Sequence, residues 1–180
     1  MSIRVTLPSG EVYPALVVTK DRNNDLALVQ LKGMRPMGGF IAQLQAEVKT
    51  GELVHALGYP LGERLSRQPS IVTGYVSAGT GLEDNIAQFR MTTPINEGNS
   101  GGPIVNAQGT LVGIASSGLV QQGVEGIRFG TKISAAMLVL QQARLVRKFT
   151  IMAVPKERKV LTPPEIFREY SPYVVLIETR

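Results

Sequence analysis

The sequence predicts an all-β domain, a barrel or sandwich of short strands closed by a helix. Short apolar runs rich in Val, Ile and Leu follow one another at close intervals, and clusters of Gly, Pro, Asn and Ser punctuate them. A third observation marks the exception: Ser134 to Arg147 sets Ala135, Leu138, Val139, Gln142, Leu145 and Val146 at helical spacing.

In chain order, strands are expected at Leu16–Val18, Leu26–Leu31, Leu53–Leu57, Ile71–Val76, Ile104–Val105 and Leu111–Ile114. Their β-branched side chains are stiff at χ1 and pack well on a pleated surface. Asp21-Arg22-Asn23-Asn24-Asp25 supplies turn formers ahead of the second strand. Ser134 is expected to cap the helix through its hydroxyl. From Phe149 to Pro164 prolines mark a linker.

At 180 residues and 43% hydrophobic content, the chain can bury the core of one globular domain. No apolar run is long enough to cross a bilayer, and the first residues lack the basic-then-apolar plan of a signal peptide. With no cysteine, a disulfide-built scaffold is excluded and the compartment stays open. The net charge of +5 is local: between Ala143 and Val160, Arg144, Arg147, Lys148, Lys156, Arg158 and Lys159 outweigh Glu157, and elsewhere the charges cancel. This tract lacks interleaved aromatic residues, so it reads as a solvated linker and no nucleic-acid partner is expected.

Chemistry concentrates in Gly98-Asn99-Ser100-Gly101-Gly102-Pro103. A serine between glycines can meet a carbonyl carbon while backbone N–H groups crowd around the oxyanion. The N–H groups of Gly98 and Ser100, with Asn99 between them, are the candidate oxyanion hole; the bland alternative is a turn holding an incidental serine. The segment also fits the G-x-S-x-G elbow of α/β-hydrolases, but that reading needs an acid and then a histidine after the serine, and a helix after the loop. Neither Asp nor His follows Ser100, and Leu111-Val112-Gly113-Ile114 reads as another strand. The remaining order puts the acid first. Asp25, opening the run Leu26–Leu31, is placed to accept an imidazole N–H; the alternative is a turn residue bonded to local backbone.

Together these segments resemble the trypsin-like serine peptidases, most closely their Do-like branch. The likeness continues through Val5–Glu11 and Ala15–Val18, Lys49–Val54 and Ala56–Gly62, Thr73–Ser77, Ile95-Asn96 and Ile127-Arg128-Phe129-Gly130, in the family's order. The resemblance implies a chymotrypsin-like double β-barrel with a closing C-terminal helix, needing no cofactor and no metal. It implies Ser100 as nucleophile and Asp25 as the acid that orients a histidine. That histidine belongs before the aspartate in the family, and Met1 to Asn24 contains none. The sole histidine, His55, lies in the strand-like Leu53–Leu57 and is expected to be an ordinary strand residue.

Residues 164–180 resemble the opening of the same domain, a short helix leading into its first strand. The expected organisation is therefore a peptidase domain over 1–147 missing its first strands, a basic linker over 148–163, and at 164–180 either the start of a second copy or a permuted first strand. A fragment of a longer tandem protein is favoured over permutation. The expected function is serine endopeptidase chemistry through an acyl-enzyme, inactive in this chain for want of the base. The alternative is a pseudopeptidase that holds peptides by strand addition. The expected partner is a peptide or unfolded protein, with a homo-oligomer possible through the separated strand. Pro94, six residues before Ser100, stands where trypsins that cut after Lys or Arg carry an aspartate. With Ile127, Arg128, Phe129 and Gly130 as pocket walls, a small or aliphatic residue is expected before the scissile bond, Arg128 and Lys132 modulating access. Asn99 lacks the charge that would pair with a newly cut N-terminus.

Overall fold

The structure, a computed structural model describing residues 2–34, 42–60, 68–96, 98–116, 128–143 and 159–179, bears out the β prediction. Among the described residues the strands are β1 Ile3–Thr6, β2 Val12–Asp21, β3 Leu26–Leu31, β4 Leu53–Gly58, β5 Ser70–Ala78, β6 Gln88–Met91, β7 Pro103–Asn106, β8 Leu111–Ser116, β9 Arg128–Lys132 and β10 Leu176–Thr179, with helices α1 Ile133–Gln142 and α2 Pro163–Tyr170. They form two β bodies: a closed barrel in the order β4-β5-β6-β9-β8-β7, and a four-stranded sheet in the order β10-β1-β2-β3.

The closed barrel explains why Leu53–Gly58 reads as a nearly unbroken apolar run. Alternate residues of a strand point to opposite faces, and here both faces are covered. Val54 and Ala56 join Val76, Phe89, Met91, Ile104 and Val112 in the barrel core. Leu57 faces outward into a second cluster with Tyr59, Val105, Ile166, Tyr170 and Val174. β6 is only four residues long and β9 has Phe129 as its one apolar side chain, and neither was among the expected strands. They close the barrel through Phe89, whose ring fills the place of the absent side chain at Gly130, where a Cβ would lie 2.4 Å from Phe89 Cζ.

The helix differs from expectation at both ends. Thr131 and Lys132 are still paired to Ile114 and Gly113 in β9, so the N-cap is Lys132 and Ser134 lies inside α1. The helix gives way at the C-cap Ala143, and the further turn expected through Arg147 falls outside the described residues. Most of the basic linker lies outside them too. Its last residues are docked, Leu161 N–H donating to Ala107 C=O at 2.8 Å and Lys159 standing 3.6 Å from Glu165.

The C-terminal segment folds onto the rest of the chain. Glu165 accepts from the Thr162 backbone N–H and hydroxyl at 2.7 and 2.8 Å, fixing the first turn of α2 and holding its own carboxyl below the usual range. Ile166 and Tyr170 are buried against the outer face of the barrel, where the Tyr170 hydroxyl donates to Gly109 C=O at 2.9 Å and that of Tyr59 to Val174 C=O at 3.1 Å. β10 then pairs antiparallel with β1 in the register Ile3 to Thr179 and Thr6 to Leu176. Arg4 and Glu178 meet across this pair at 3.1 Å.

Candidate active site

The serine loop is held backbone against backbone to the end of β4. A Cβ at Gly102 would lie 1.9 Å from Leu57 C=O, so no other residue fits there without displacing a strand. Gly98 has φ +92°, a conformation L-residues avoid, which turns its carbonyl to the Tyr59 N–H at 3.0 Å. Gly101 N–H donates to Ala115 C=O and Ala115 N–H to Gly102 C=O, both at 2.8 Å, tying the loop to β8. The outcome is an exposed Ser100 beside a buried Asn99. Asn99 is 1% exposed, and the neutral amide avoids the cost of taking a carboxylate's charge out of water.

Asp25 sits at the mouth of β3 with φ +53°. Local turn bonding is carried by Asp21 instead, which accepts from the Asn23 and Asn24 N–H groups and from Asn24 Nδ2, bonds that hold its carboxyl below the usual range. Asp25 reaches across the molecule: its Oδ2 accepts the Ser116 hydroxyl at 2.9 Å. The neighbouring turn is pinned by Thr131 Oγ1 donating to Asn24 C=O at 2.9 Å. β3 is only half-buried, not the buried strand that its apolar run suggests, because among the described residues it is the last strand of an open sheet.

Ser100 and Asp25 line one cavity of about 570 Å³ between the open sheet, α1 and the barrel, its other walls including Ile3, Val17, Val139 and Ile177. A second cavity of about 190 Å³ lies on the far side of the serine, bounded by Gly58, Gly98, Pro103 and the segment from Tyr173 to Ile177. The chain thus brings a hydroxyl and a carboxylate to one chamber and puts backbone of the serine loop at its edge. His55 is elsewhere. It is buried in β4, its Nδ1 bonded to Thr73 Oγ1 at 2.9 Å and its Nε2 without a partner, and burial pushes its pKa down.

Of the expected pocket residues, Phe129 and Gly130 are buried in β9, and Pro94 is exposed. Arg128 is drawn back by donating its Nε–H to Ile95 C=O at 3.0 Å. Ile127 lies outside the described residues. Sequence reasoning missed Ser116, an unremarkable serine in an apolar strand whose role appears only when β8 is laid beside the β2–β3 turn. It also missed the C-terminal wall of the smaller cavity, some seventy residues beyond the loop it faces.

Comparison with known proteins bears on the family and the fold. Residues 2–114 match the family model of the trypsin-like peptidase domain. The serine protease Do-like HtrA of Bacillus subtilis is 37% identical over 134 residues, covering 71% of this chain and 30% of that protein. Bovine mitochondrial serine protease HTRA2 is 34% identical over 119 residues, covering 62% and 25%. An uncharacterised protein of Sinorhizobium fredii, y4bJ, is 33% identical over 118 residues, covering 66% and 18%. The chain therefore spans about a third or less of the length of these relatives. With a closed six-stranded barrel and a family match over residues 2–114, the chain belongs to the trypsin-like peptidase domain family.

Proposed function

We propose that this chain is a serine endopeptidase domain in which Ser100 attacks a peptide carbonyl, the N–H groups of Gly98 and Ser100 receive the oxyanion, and Asp25 orients the general base. The observation that supports this best is the shared chamber of Ser100 and Asp25. The base is what this chain lacks: its sole histidine is buried in β4 and bonded to Thr73. The chain by itself is therefore expected to turn over peptides at a small fraction of a complete site's rate, since removing one triad member leaves roughly 10³–10⁴-fold over water. The substrate class is an extended peptide or unfolded protein with a small or aliphatic residue before the scissile bond.

Chemical rescue tests the reading. Imidazole is small enough for the larger cavity, and in its presence a fluorophosphonate probe is expected to label Ser100 faster, by roughly 100-fold if the base is well placed. Ser100→Ala should abolish labelling, and Asp25→Ala should remove the effect of imidazole. Labelling that is indifferent to Ser100→Ala would overturn the assignment.

The Asp25–Ser116 hydrogen bond favours a second reading, because it satisfies the carboxylate without a histidine. In that reading the domain is a pseudopeptidase that holds peptides as an added strand. Peptide affinity unaltered by Ser100→Ala, together with failure of imidazole rescue, would select it.

A further inference from the structure

His55 is the chain's sole histidine, and the site at Ser100 makes no use of it. It stands in β4 and is 1% exposed. Side chains alternate across a strand, so with Val54 and Ala56 in the barrel core, His55 and Leu57 lie on the barrel's outer face. That face is covered by the C-terminal segment. Leu57, its β5 partner Ile71, and Val105, directly opposite His55 on β7, all pack in one cluster with Ile166, Tyr170 and Val174.

Beneath this cover the ring is provided for one proton and not for two. A neutral imidazole has one donor and one acceptor, whereas an imidazolium has two donors. Nδ1 shares a 2.9 Å hydrogen bond with Thr73 Oγ1, and Nε2 is buried without a partner. The elements around it bring no carboxylate to the ring among the described residues: β5 sets Thr73 opposite it and the exposed Tyr75 beyond, β7 sets Val105, and α2 turns Ile166 and Tyr170 inward. The charged groups nearby are engaged or exposed. Glu52, just before β4, accepts from Asn106 and Gln45; Glu165 accepts from Thr162 and stands beside Lys159; Arg168 and Glu169 are exposed. The Glu165 carboxyl is held below its usual range, so it stays ionised between pH 5 and 7. Burial of the ring pushes the His55 pKa down.

The barrel closes through its own six strands, so the cover can lift while the barrel stays intact. Bonds from the segment to the barrel include Leu161 N–H to Ala107 C=O, the Tyr170 hydroxyl to Gly109 C=O and the Tyr59 hydroxyl to Val174 C=O. We propose that protonation of His55 releases the C-terminal segment 159–179 from the barrel, an acid-operated switch that also draws the stretch from Tyr173 to Ile177 away from the 190 Å³ cavity beside Ser100. The switch rests on the ring and its cover alone and holds whether or not Ser100 cleaves peptides. With the segment lifted, the ring returns to its ordinary pKa of about 6.5, whereas the docked form refuses the proton. Lowering the pH from 7 to 5 therefore multiplies the lifted population by up to roughly 25-fold.

Native-state hydrogen exchange on the whole chain, corrected for the intrinsic pH dependence of exchange, reads this opening at the amides of Leu161, Ile166 and Val174 and compares it with the amides of β6 and β9. The segment is expected to open more often than the barrel, with an opening equilibrium that rises by up to roughly 25-fold from pH 7 to 5 and stays flat in His55→Leu. A second measurement leaves His55 in place. As the only histidine, its ring gives one set of NMR signals, and Ile166→Ala, by loosening the cover, is expected to raise the ring's pKa toward 6.5; this titration decides the matter by itself where His55→Leu does not fold. Segment amides that exchange only together with those of the barrel, an opening that does not rise as the pH falls, an equal rise in His55→Leu, or a ring pKa unmoved by Ile166→Ala would each overturn the proposal.

Discussion

Single side chains decide how the serine loop is held. Gly102 is the tightest point, and Gly102→Ala forces either the loop or β4 to move, because its Cβ would meet the Leu57 carbonyl at 1.9 Å. The expected cost is about 1–3 kcal/mol, read by urea unfolding, together with loss of Ser100 labelling under imidazole rescue. His55 supplies a pH signature. Its folded pKa lies below its ordinary value, so below about pH 6.5 the unfolded chain takes up a proton that the folded chain refuses. Stability from this residue is present above that pH and declines as the pH falls toward the folded pKa, by up to about 1.4 kcal/mol per unit. His55→Leu should flatten the slope of unfolding free energy between pH 7 and 5; an unchanged slope would assign it to other groups. Ser100 and Asp25 were legible in the sequence because glycines and a turn mark their surroundings. Ser116 was not, since its meaning depends on a contact with Asp25 spanning 91 positions.

Among the elements, the C-terminal helix and strand matter most for stability. Ile166 is fully buried against Leu57 and Val105, so Ile166→Ala is expected to cost about 2–5 kcal/mol and lower Tm accordingly. Exposed Ile86→Ala serves as the control and should stay within about 0.5 kcal/mol. The helix at 163–170 was expected only through the resemblance of residues 164–180 to the domain's opening, and the start of α1 was misplaced because the ladder of β9 runs to Lys132 and overrides the capping preference of Ser134. β3 and β4 emerged almost to the residue, as apolar runs between turn formers do. β6 and β9 did not, since most of their positions are polar or glycine and they pair with each other across some forty residues.

For the molecule as a whole, the chain's two ends lie side by side in one sheet. Deleting 159–180 would uncover Leu57 and Val105 and remove a strand from β1. A fall in Tm of at least about 10 °C, or insolubility, is expected by thermal melting. The double-bodied β architecture and the incompleteness of its first body could be read from the order of motifs; whether residues 164–180 pair within this chain was left open, because strand pairing over such a separation leaves no local trace. That pairing also has a consequence in time. Ile3 finds its partner at Thr179, so β1 is made long before the strand that covers its edge, and a long loop must close to bring the two together. Until β10 has been made, β1 lacks that partner and is ready to join a neighbouring copy, so the interval between the two strands is when aggregation is most favoured.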